Sequence, residues 1–321
     1  NPAGRVPAAA MIVISEFMDA AAVDRLRADF EVHHDATLVD DPQRLYAATM
    51  SAEALIVRNR TQVDAALLAN APRLRVVGRL GVGLDNIDTA ACAARAIEVI
   101  PATGANAISV AEYVLTTAML LLRGAYTSSA EVAAGDWPRP KLSQGREVCG
   151  KTLGLVGFGS IGRVTAQRAH AIGMRVIAYD ALLAEADAAW REHDVVRKGL
   201  DQVVAEADIV SLHVPLDLQT RGLINASRIA LMKRGAIIIN TSRGGIVDEV
   251  AVAAALRAGS LAGAALDVFE HEPLAANSAL ADVPNLILTP HIAGVTQESN
   301  VRVGALIAEH VAASLRRSRP R

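Results

Sequence analysis

Three glycines in the segment GFGSIG, Gly157, Gly159 and Gly162, have the spacing of a turn that binds phosphate groups. The segment follows the apolar run TLGLV and opens a helical pattern near Ser160, which is the context that this motif requires. The first glycine would permit a tight turn, the second the approach of a pyrophosphate, and the third close packing of helix against strand. We therefore predict a dinucleotide site at this helix N-terminus, with Ser160 and Ile161 among its residues.

The next predicted strand, MRVIAYD, ends in Asp180. An acid at this place accepts hydrogen bonds from the hydroxyl groups of the adenosine ribose. No Arg or Lys occurs in the following residues 181–184, so a 2′-phosphate would meet a bare carboxylate. The sequence therefore favours NAD over NADP.

Three further segments place ionisable side chains directly after predicted strands. Arg243 lies in NTSRGG, Glu272 in FEHEP and His291 in TPHIAG. Ligands of open α/β sheets bind outside the carboxyl ends of the strands, so we expect these residues on the cofactor side. An imidazole titrates near neutral pH and therefore suits proton transfer. A carboxylate partner stabilises the imidazolium form. A guanidinium can bind a substrate carboxylate through two hydrogen bonds. This set suits proton transfer on a substrate that carries a carboxylate.

Short β-rich runs alternate with Ala-rich helical stretches along most of the chain, which predicts parallel sheets covered by helices. A long apolar helix, predicted over 106–126, interrupts this rhythm, and the alternation restarts at Thr152. We predict an α/β fold of two doubly wound parallel-sheet domains. Their predicted bounds are 11–105 for the first and 106–291 for the second.

Composition excludes several other classes of protein. The 321 residues carry a net charge of -2, which argues against nucleic-acid binding, and no apolar run is long enough to span a membrane. The two cysteines, Cys92 and Cys149, have no metal or disulfide spacing, so we expect no metal and a cytoplasmic location. Residues 1–10 are expected to be an added or disordered arm, with Met11 as a possible natural start.

These segments, together with SLHVPL at 211–216, resemble the D-2-hydroxyacid dehydrogenase family, and most of all its phosphoglycerate dehydrogenase branch. The resemblance extends over about residues 50–315. It implies a Rossmann-type NAD domain, a flavodoxin-like substrate domain, and a last helix that packs back on the first domain, which adds 292–321 to that domain. It also implies a homodimer formed largely through the cofactor domain.

The resemblance further implies roles for individual residues. Arg243 would bind the substrate carboxylate, His291 would be the general acid and base, and Glu272 would hydrogen-bond His291. Backbone N–H groups of the turn at Gly81, Val82 and Gly83 would bind the substrate carboxylate. Cofactor contacts, besides His291, are implied for His213, Val214, Pro215, Thr220, Thr241, Ser242, Asp267 and Gly294.

Arg58, Arg60 and Arg79 follow two predicted strands, ALIV and RVVG. If those strands are parallel neighbours, the three guanidinium groups meet at one edge, and they exceed what a single carboxylate needs. We therefore expect a substrate with a second anionic group, similar to 3-phosphoglycerate. Guanidinium groups suit phosphate and sulfonate oxygens alike, so sulfolactate remains open.

Two other functions are weighed against this one. An NADPH-dependent glyoxylate or hydroxypyruvate reductase is disfavoured by Asp180, and a non-catalytic corepressor-like binding protein is disfavoured by the intact Arg, Glu and His set. The chain ends soon after the last predicted helix, so we do not expect the serine-binding regulatory domain of longer phosphoglycerate dehydrogenases.

Overall fold

The computed structural model describes residues 10–317, so residues 1–9 of the predicted arm and 318–321 of the predicted first domain lie outside the described part. The chain divides into two compact units. One joins the residues up to Asn106 with those from Val295 onward, and the other is Ala107–Gly294. Each unit contains a parallel sheet covered by helices, which confirms the predicted fold class. Within the described residues, no helix has the length and apolar character needed to cross a bilayer.

The first unit, over the part that the structure describes, contains five strands and five α-helices. The strands are β1 (Met11–Ile14), β2 (Glu31–His34), β3 (Ala54–Val57), β4 (Val76–Arg79) and β5 (Glu98–Pro101). The helices are α1 (Ala20–Arg27), α2 (Pro42–Thr49), α3 (Ala65–Asn70), α4 (Thr89–Ala94) and, from the end of the chain, α13 (Gln297–Arg317). The strand order β2-β1-β3-β4-β5 is that of flavodoxin-like domains.

Aspartates start the first four helices of this unit. The side chains of Asp19, Asp41, Asp64 and Asp88 each accept a hydrogen bond from a backbone N–H in the first turn. Such caps satisfy N–H groups that have no partner within the helix. The sequence therefore fixes where each crossover helix begins.

Helix α13 packs directly on β4. A Cβ atom on Gly78 would lie 2.8 Å from side-chain carbons of both Ile307 and Val311, so only glycine allows this approach. Ile307 and Val311 belong to the same buried cluster as Ile12 and Ile14 of β1. One face of the first sheet is thus covered by residues from both ends of the chain.

The second unit is described along its whole length and contains seven parallel strands. They are β6 (Thr152–Val156), β7 (Arg175–Tyr179), β8 (Val196–Arg197), β9 (Ile209–Leu212), β10 (Ala236–Asn240), β11 (Leu261–Leu266) and β12 (Leu286–Leu288). The helices are α5 (Ala107–Arg123), α6 (Ser129–Ala133), α7 (Arg139–Leu142), α8 (Ser160–Ala171), α9 (Ala188–Glu192), α10 (Leu200–Glu206), α11 (Ala226–Leu231) and α12 (Glu249–Arg257).

The order β12-β11-β10-β9-β6-β7-β8 is that of a Rossmann sheet with one added strand. The strand order reverses between β6 and β9, and ligands bind outside the carboxyl ends of strands at such a point. The residues that directly follow the strands here are Gly157, Asp180, His213, Thr241, Asp267 and Thr289. The topology therefore gathers most of the predicted site at one edge of the sheet.

The predicted long helix is shorter than expected. Helix α5 ends at Arg123, because Gly124 adopts a left-handed conformation with φ of 67°. A short 3₁₀ turn, Ala125–Thr127, follows where the sequence pattern predicted further helix. The apolar residue pattern of α5 continues past Gly124, but the α-helical backbone ends there.

Candidate active site

The three glycines of the β6–α8 turn have three different surroundings. Gly157 has φ of 101°, and a Cβ there would lie 2.6 Å from the His213 carbonyl oxygen. A Cβ on Gly162 would lie 2.5 Å from the Gly157 carbonyl oxygen, which explains the close packing of α8. A Cβ on Gly159 would meet no atom within 4 Å. Gly159 therefore faces open space at a helix N-terminus, and that is where a pyrophosphate fits.

Asp180 and an aromatic pair hold this turn in place. One oxygen of the Asp180 carboxylate accepts from Phe158 N at 2.7 Å, and the other accepts from Leu182 N and Leu183 N at 2.9 and 3.0 Å. The ring of Phe158 is buried and stacks on Trp190 with 4.9 Å between centroids. The aromatic pair was not predicted from the sequence, although Phe158 stands inside the motif.

His291 and Glu272, which the sequence predicted as partners, lie in contact. The Nδ1–H of His291 donates to Oε2 of Glu272 over 2.8 Å, and Oε1 of Glu272 accepts from Phe269 N at 3.0 Å. Because Nδ1 is engaged, Nε2 is the nitrogen that can exchange a proton with a substrate. The imidazole is 41% exposed, so a small molecule can reach it.

Asp267 fixes the loop that carries His291. Its buried carboxylate accepts from the Thr289 hydroxyl at 2.6 Å and from the backbone N–H groups of Ile292 and Ala293, each at 2.8 Å. Its carbonyl oxygen accepts from His291 N at 2.8 Å. The Tyr113 hydroxyl lies 2.6 Å from the Thr289 hydroxyl, and burial raises the pKa of this phenol. The family resemblance implied a cofactor contact for Asp267, and no local signal in the sequence pointed to Tyr113 or Thr289.

Arg243 extends from a loop that a buried asparagine organises. Asn240 donates from its side chain to the Arg243 carbonyl at 2.9 Å and accepts from Ser242 N at 3.0 Å. The Ser242 hydroxyl donates to the Leu212 carbonyl at 2.7 Å. A Cβ on Gly244 would overlap the Phe269 carbonyl, so this loop lies against the segment that leads to Glu272. Asn240 stands in the quoted motif but was not assigned a role there.

Two buried polar atoms near this edge make no hydrogen bond with the described residues, Nδ1 of His213 and the hydroxyl of Thr241. Buried polar atoms are rarely left so unless a ligand or water serves them. Burial lowers the pKa of His213 to about 4, so its ring is neutral at pH 7. Nε2 of this ring lies 2.9 Å from the Ser211 hydroxyl. Both atoms suit a polar group of a bound dinucleotide.

The other predicted cofactor residues of this unit lie in two loops. Thr220 shapes the loop after β9, because its hydroxyl donates to the Pro215 carbonyl at 2.6 Å. Val214 lies close to the glycine turn, since a Cβ on Gly157 would be 3.1 Å from its side chain. Gly294 follows the His291 loop at the end of the unit. In the described part of the chain, no group of His, Cys, Asp or Glu side chains is arranged to hold a metal ion.

In the first unit, Arg58 and Arg79 lie at the carboxyl ends of neighbouring parallel strands, with Val57 and Arg79 in register. Arg58 is half-buried, and Nη2 donates to Oδ1 of Asn300 over 3.1 Å. Burial lowers the pKa of Arg58. Arg79 folds over the turn that follows it and donates to the Leu80 carbonyl at 3.0 Å.

Arg60 differs from these two arginines. Its guanidinium forms an ion pair with Asp40 on the exposed surface. The turn after Arg79 contains Gly81, which is buried with φ of 156°, and the half-buried Val82 and Gly83. A Cβ on Gly81 would overlap the Arg79 guanidinium, so this glycine makes room for that side chain.

Comparisons with known proteins agree with this geometry. The family model of the D-isomer specific 2-hydroxyacid dehydrogenase NAD-binding domain matches residues 115–293. The chain belongs to the D-isomer specific 2-hydroxyacid dehydrogenase family. It is an oxidoreductase that uses NAD, which confirms the predicted family, enzyme class and cofactor.

Relatives of this dehydrogenase differ in substrate and in length. An (S)-sulfolactate dehydrogenase of Chromohalobacter salexigens is 55% identical over 304 residues, which cover 95% of this chain and 98% of that protein. A D-3-phosphoglycerate dehydrogenase of Mycobacterium leprae is 43% identical over 86% of this chain, but the match covers only 52% of that protein. The solved structure of the TT0316 protein of Thermus thermophilus has a TM-score of 0.84 at 34% identity, covering 97% of this chain and 98% of that one.

The open space at Gly159 leads to a prediction for the dehydrogenase. Gly159→Ala should weaken NADH binding at least about tenfold and leave stability nearly unchanged, because the added methyl meets only the ligand. Gly162→Ala is the matched variant and should lower stability by about 1–3 kcal/mol, because its methyl overlaps a backbone oxygen. Fluorescence titration with NADH measures the change in affinity, and urea unfolding measures the change in stability. Equal NADH affinity for Gly159→Ala and wild type would contradict this interpretation of the turn.

Proposed function

We propose that this dehydrogenase oxidises a D-configured 2-hydroxy acid with a second anionic group, and that (S)-sulfolactate is the first candidate. The observation that carries the choice is the 55% identity to an (S)-sulfolactate dehydrogenase over nearly the full length of both chains. D-3-phosphoglycerate is the second candidate, because relatives of that name are 42–43% identical over 86% of this chain.

The stereochemical names of the two candidates are compatible with one site. In sulfolactate the sulfur-bearing carbon ranks above the carboxyl group, whereas in 3-phosphoglycerate the carboxyl group ranks above the phosphate-bearing carbon. The descriptor therefore changes between the two although the groups around C2 keep the same arrangement in space. A D-specific site would thus act on the (S) form of sulfolactate.

The proposed chemistry assigns the proton to His291. On oxidation, the hydroxyl proton of the substrate passes to Nε2 of His291, while Glu272 stabilises the imidazolium through Nδ1. Arg243 binds the substrate carboxylate as a guanidinium fork and steadies the reacting oxygen. NAD, when bound, would supply the acceptor for the hydride that leaves C2. The glycine turn, Asp180, His213 and Thr241 would hold that cofactor.

The proposed pocket for the second anion consists of Arg58 and Arg79. Both lie at the carboxyl edge of the first sheet, and the half-burial of Arg58 strengthens its interaction with an anion. We leave Arg60 out of this pocket, because Asp40 already neutralises its guanidinium. The turn at Gly81, Val82 and Gly83 would add backbone N–H groups for the substrate carboxylate.

Substitution of the proton carrier tests the chemical assignment. His291→Ala should lower turnover by about 10²–10⁴-fold and leave NADH affinity nearly intact, because the side chain serves the reacting oxygen. Glu272→Gln should lower turnover by a smaller factor, because the amide can still accept from Nδ1–H but carries no charge. Steady-state kinetics and fluorescence titration give the two quantities. Turnover of His291→Ala close to that of wild type would remove His291 from the mechanism.

A panel of keto acids with NADH tests the substrate. We expect kcat/KM for sulfopyruvate or phosphohydroxypyruvate to exceed that for pyruvate and hydroxypyruvate by at least about tenfold, or ~1.4 kcal/mol of transition-state binding. Arg58→Ala should remove most of this preference with little change for pyruvate, and Arg60→Ala should largely keep it. A preference for glyoxylate, hydroxypyruvate or pyruvate would contradict the second anion.

We further propose that the dehydrogenase is a homodimer. The segment after α5 exposes apolar side chains, among them Trp137 at 74% and Tyr126 at 64%. A surface hollow of about 300 Å³ is lined by Trp137 together with Val132, Pro138 and Leu142. Apolar surface of this kind marks interaction sites, and a second copy of the chain is the partner that family resemblance implies.

If the two copies associate through the segment after α5, a charged side chain in that segment should prevent dimer formation. Trp137→Asp should shift the protein from dimer to monomer in sedimentation velocity, because a carboxylate would be buried without a partner. Met50→Asp, at a side chain 62% exposed in the first unit, is the control and should leave the dimer intact. A wild-type protein that sediments as a monomer would overturn the proposal.

A further inference from the structure

Buried polar side chains of the first unit collect beneath the loop that carries Arg58. Ser15, Glu16, Thr61 and Asn86 are 0, 4, 2 and 8% exposed. Burial of polar groups is costly unless each finds a hydrogen-bond partner. A surface loop can satisfy its backbone with water, so a buried polar network at this one place indicates that the loop must hold a fixed shape.

Glu16 binds the backbone of this loop from below. Oε1 of Glu16 accepts from Arg58 N at 2.9 Å and from Thr61 N at 3.0 Å, and Oε2 accepts from Arg60 N at 3.2 Å. Hydrogen bonds from N–H groups to an ionised carboxylate are stronger than neutral ones. Three of them from neighbouring residues fix the backbone from which the Arg58 side chain extends.

Asn86 binds carbonyl groups of the same loop. Its Nδ2 donates to the Thr61 carbonyl at 2.7 Å and to the Arg58 carbonyl at 3.3 Å. The hydroxyl groups of Ser15 and Thr61 are 2.9 Å apart. The loop is therefore bound by other residues of the protein through both its N–H groups and its carbonyl groups.

Asn300 acts on the guanidinium itself. Its Oδ1 accepts from Nη2 of Arg58 over 3.1 Å, and it lies on α13, 242 residues away in sequence. The Arg58 guanidinium carbon also lies 5.8 Å from the centre of the Phe17 ring. A long arginine side chain loses freedom when bound, and here Asn300 and Phe17 supply that restriction before any ligand arrives.

We propose that Glu16 and Asn300 are positioning residues that set the preference for a second anionic group, sulfonate or phosphate, by fixing Arg58 from its backbone and from its guanidinium. This inference rests on the proposed second-anion function. Preorganisation of a charged donor improves binding of an anion without a new contact, because the ordering is complete beforehand.

The test measures a ratio, kcat/KM for the preferred anionic keto acid divided by kcat/KM for pyruvate, with NADH. Asn300→Ala should lower this ratio by about five- to tenfold with pyruvate kinetics nearly unchanged. Asn300→Asp should lower it further, because a carboxylate would pair with Arg58 and repel the substrate anion. Glu309→Ala, an exposed change on the same helix, is the matched control and should leave the ratio unchanged.

Glu16→Gln tests the backbone side of the same inference. The amide places an NH2 group against loop N–H donors, so the loop should loosen and the ratio should fall, while Glu31→Gln on the exposed face of β2 should not change it. If Glu16→Gln does not fold, the Asn300 series alone decides.

The outcomes separate the two proposals. A wild-type ratio near one overturns the second-anion function and this inference with it. A wild-type ratio above about ten that Arg58→Ala abolishes and Asn300→Ala leaves unchanged overturns the inference and keeps the function. An equal fall of kcat/KM for the anionic keto acid and for pyruvate in Asn300→Ala, which leaves the ratio unchanged, would assign Asn300 a structural role only and overturn the inference.

Discussion

The carboxylate of Asp267 is the group on which the active-site geometry depends. It is 1% exposed, and three donors from the His291 loop bind its two oxygens. His291 has φ of 55°, a conformation that costs a residue other than glycine about 1–2 kcal/mol. Hydrogen bonds to a charged group are worth about 1.5–3 kcal/mol each, so the Asp267 contacts outweigh that strain. The imidazole is thereby held toward Glu272 before a substrate binds.

The first unit contains a similar arrangement, in which a buried acid after a strand binds the backbone of a loop. Glu16 lies two residues beyond β1, as Asp267 lies directly beyond β11, and both acids are buried. Each binds backbone N–H groups of a loop that follows a later strand. Because parallel strands end at one edge, an acid after one strand can reach the loop after another. An ionised side chain at the strand end thus converts a flexible connection into a rigid support.

Local signals in the sequence predicted the parts that depend on neighbouring residues. The glycine spacing, Asp180 and the strand-end positions of the Arg, Glu and His set could be identified because each signal lies within a few residues. The fold class followed from the alternation of strand and helix patterns, and the structure confirms it. Long-range partners could not be predicted in this way, since Arg58 and Asn300 are 242 residues apart and only the folded chain brings Asp40 to Arg60. The missed residues are therefore mainly the supports of the site.

The packing of α13 on Gly78 has a consequence for how the protein is made. The second unit is one continuous stretch, so all its strands are synthesised before α13. The first sheet must wait, with Ile12, Ile14 and Ile56 uncovered, until Ile307 and Val311 arrive. Domains fold as units during synthesis, and exposed apolar surface invites aggregation in the meantime. A chain of this dehydrogenase that is still being made therefore lacks part of its first core from the synthesis of the first strand until that of the last helix.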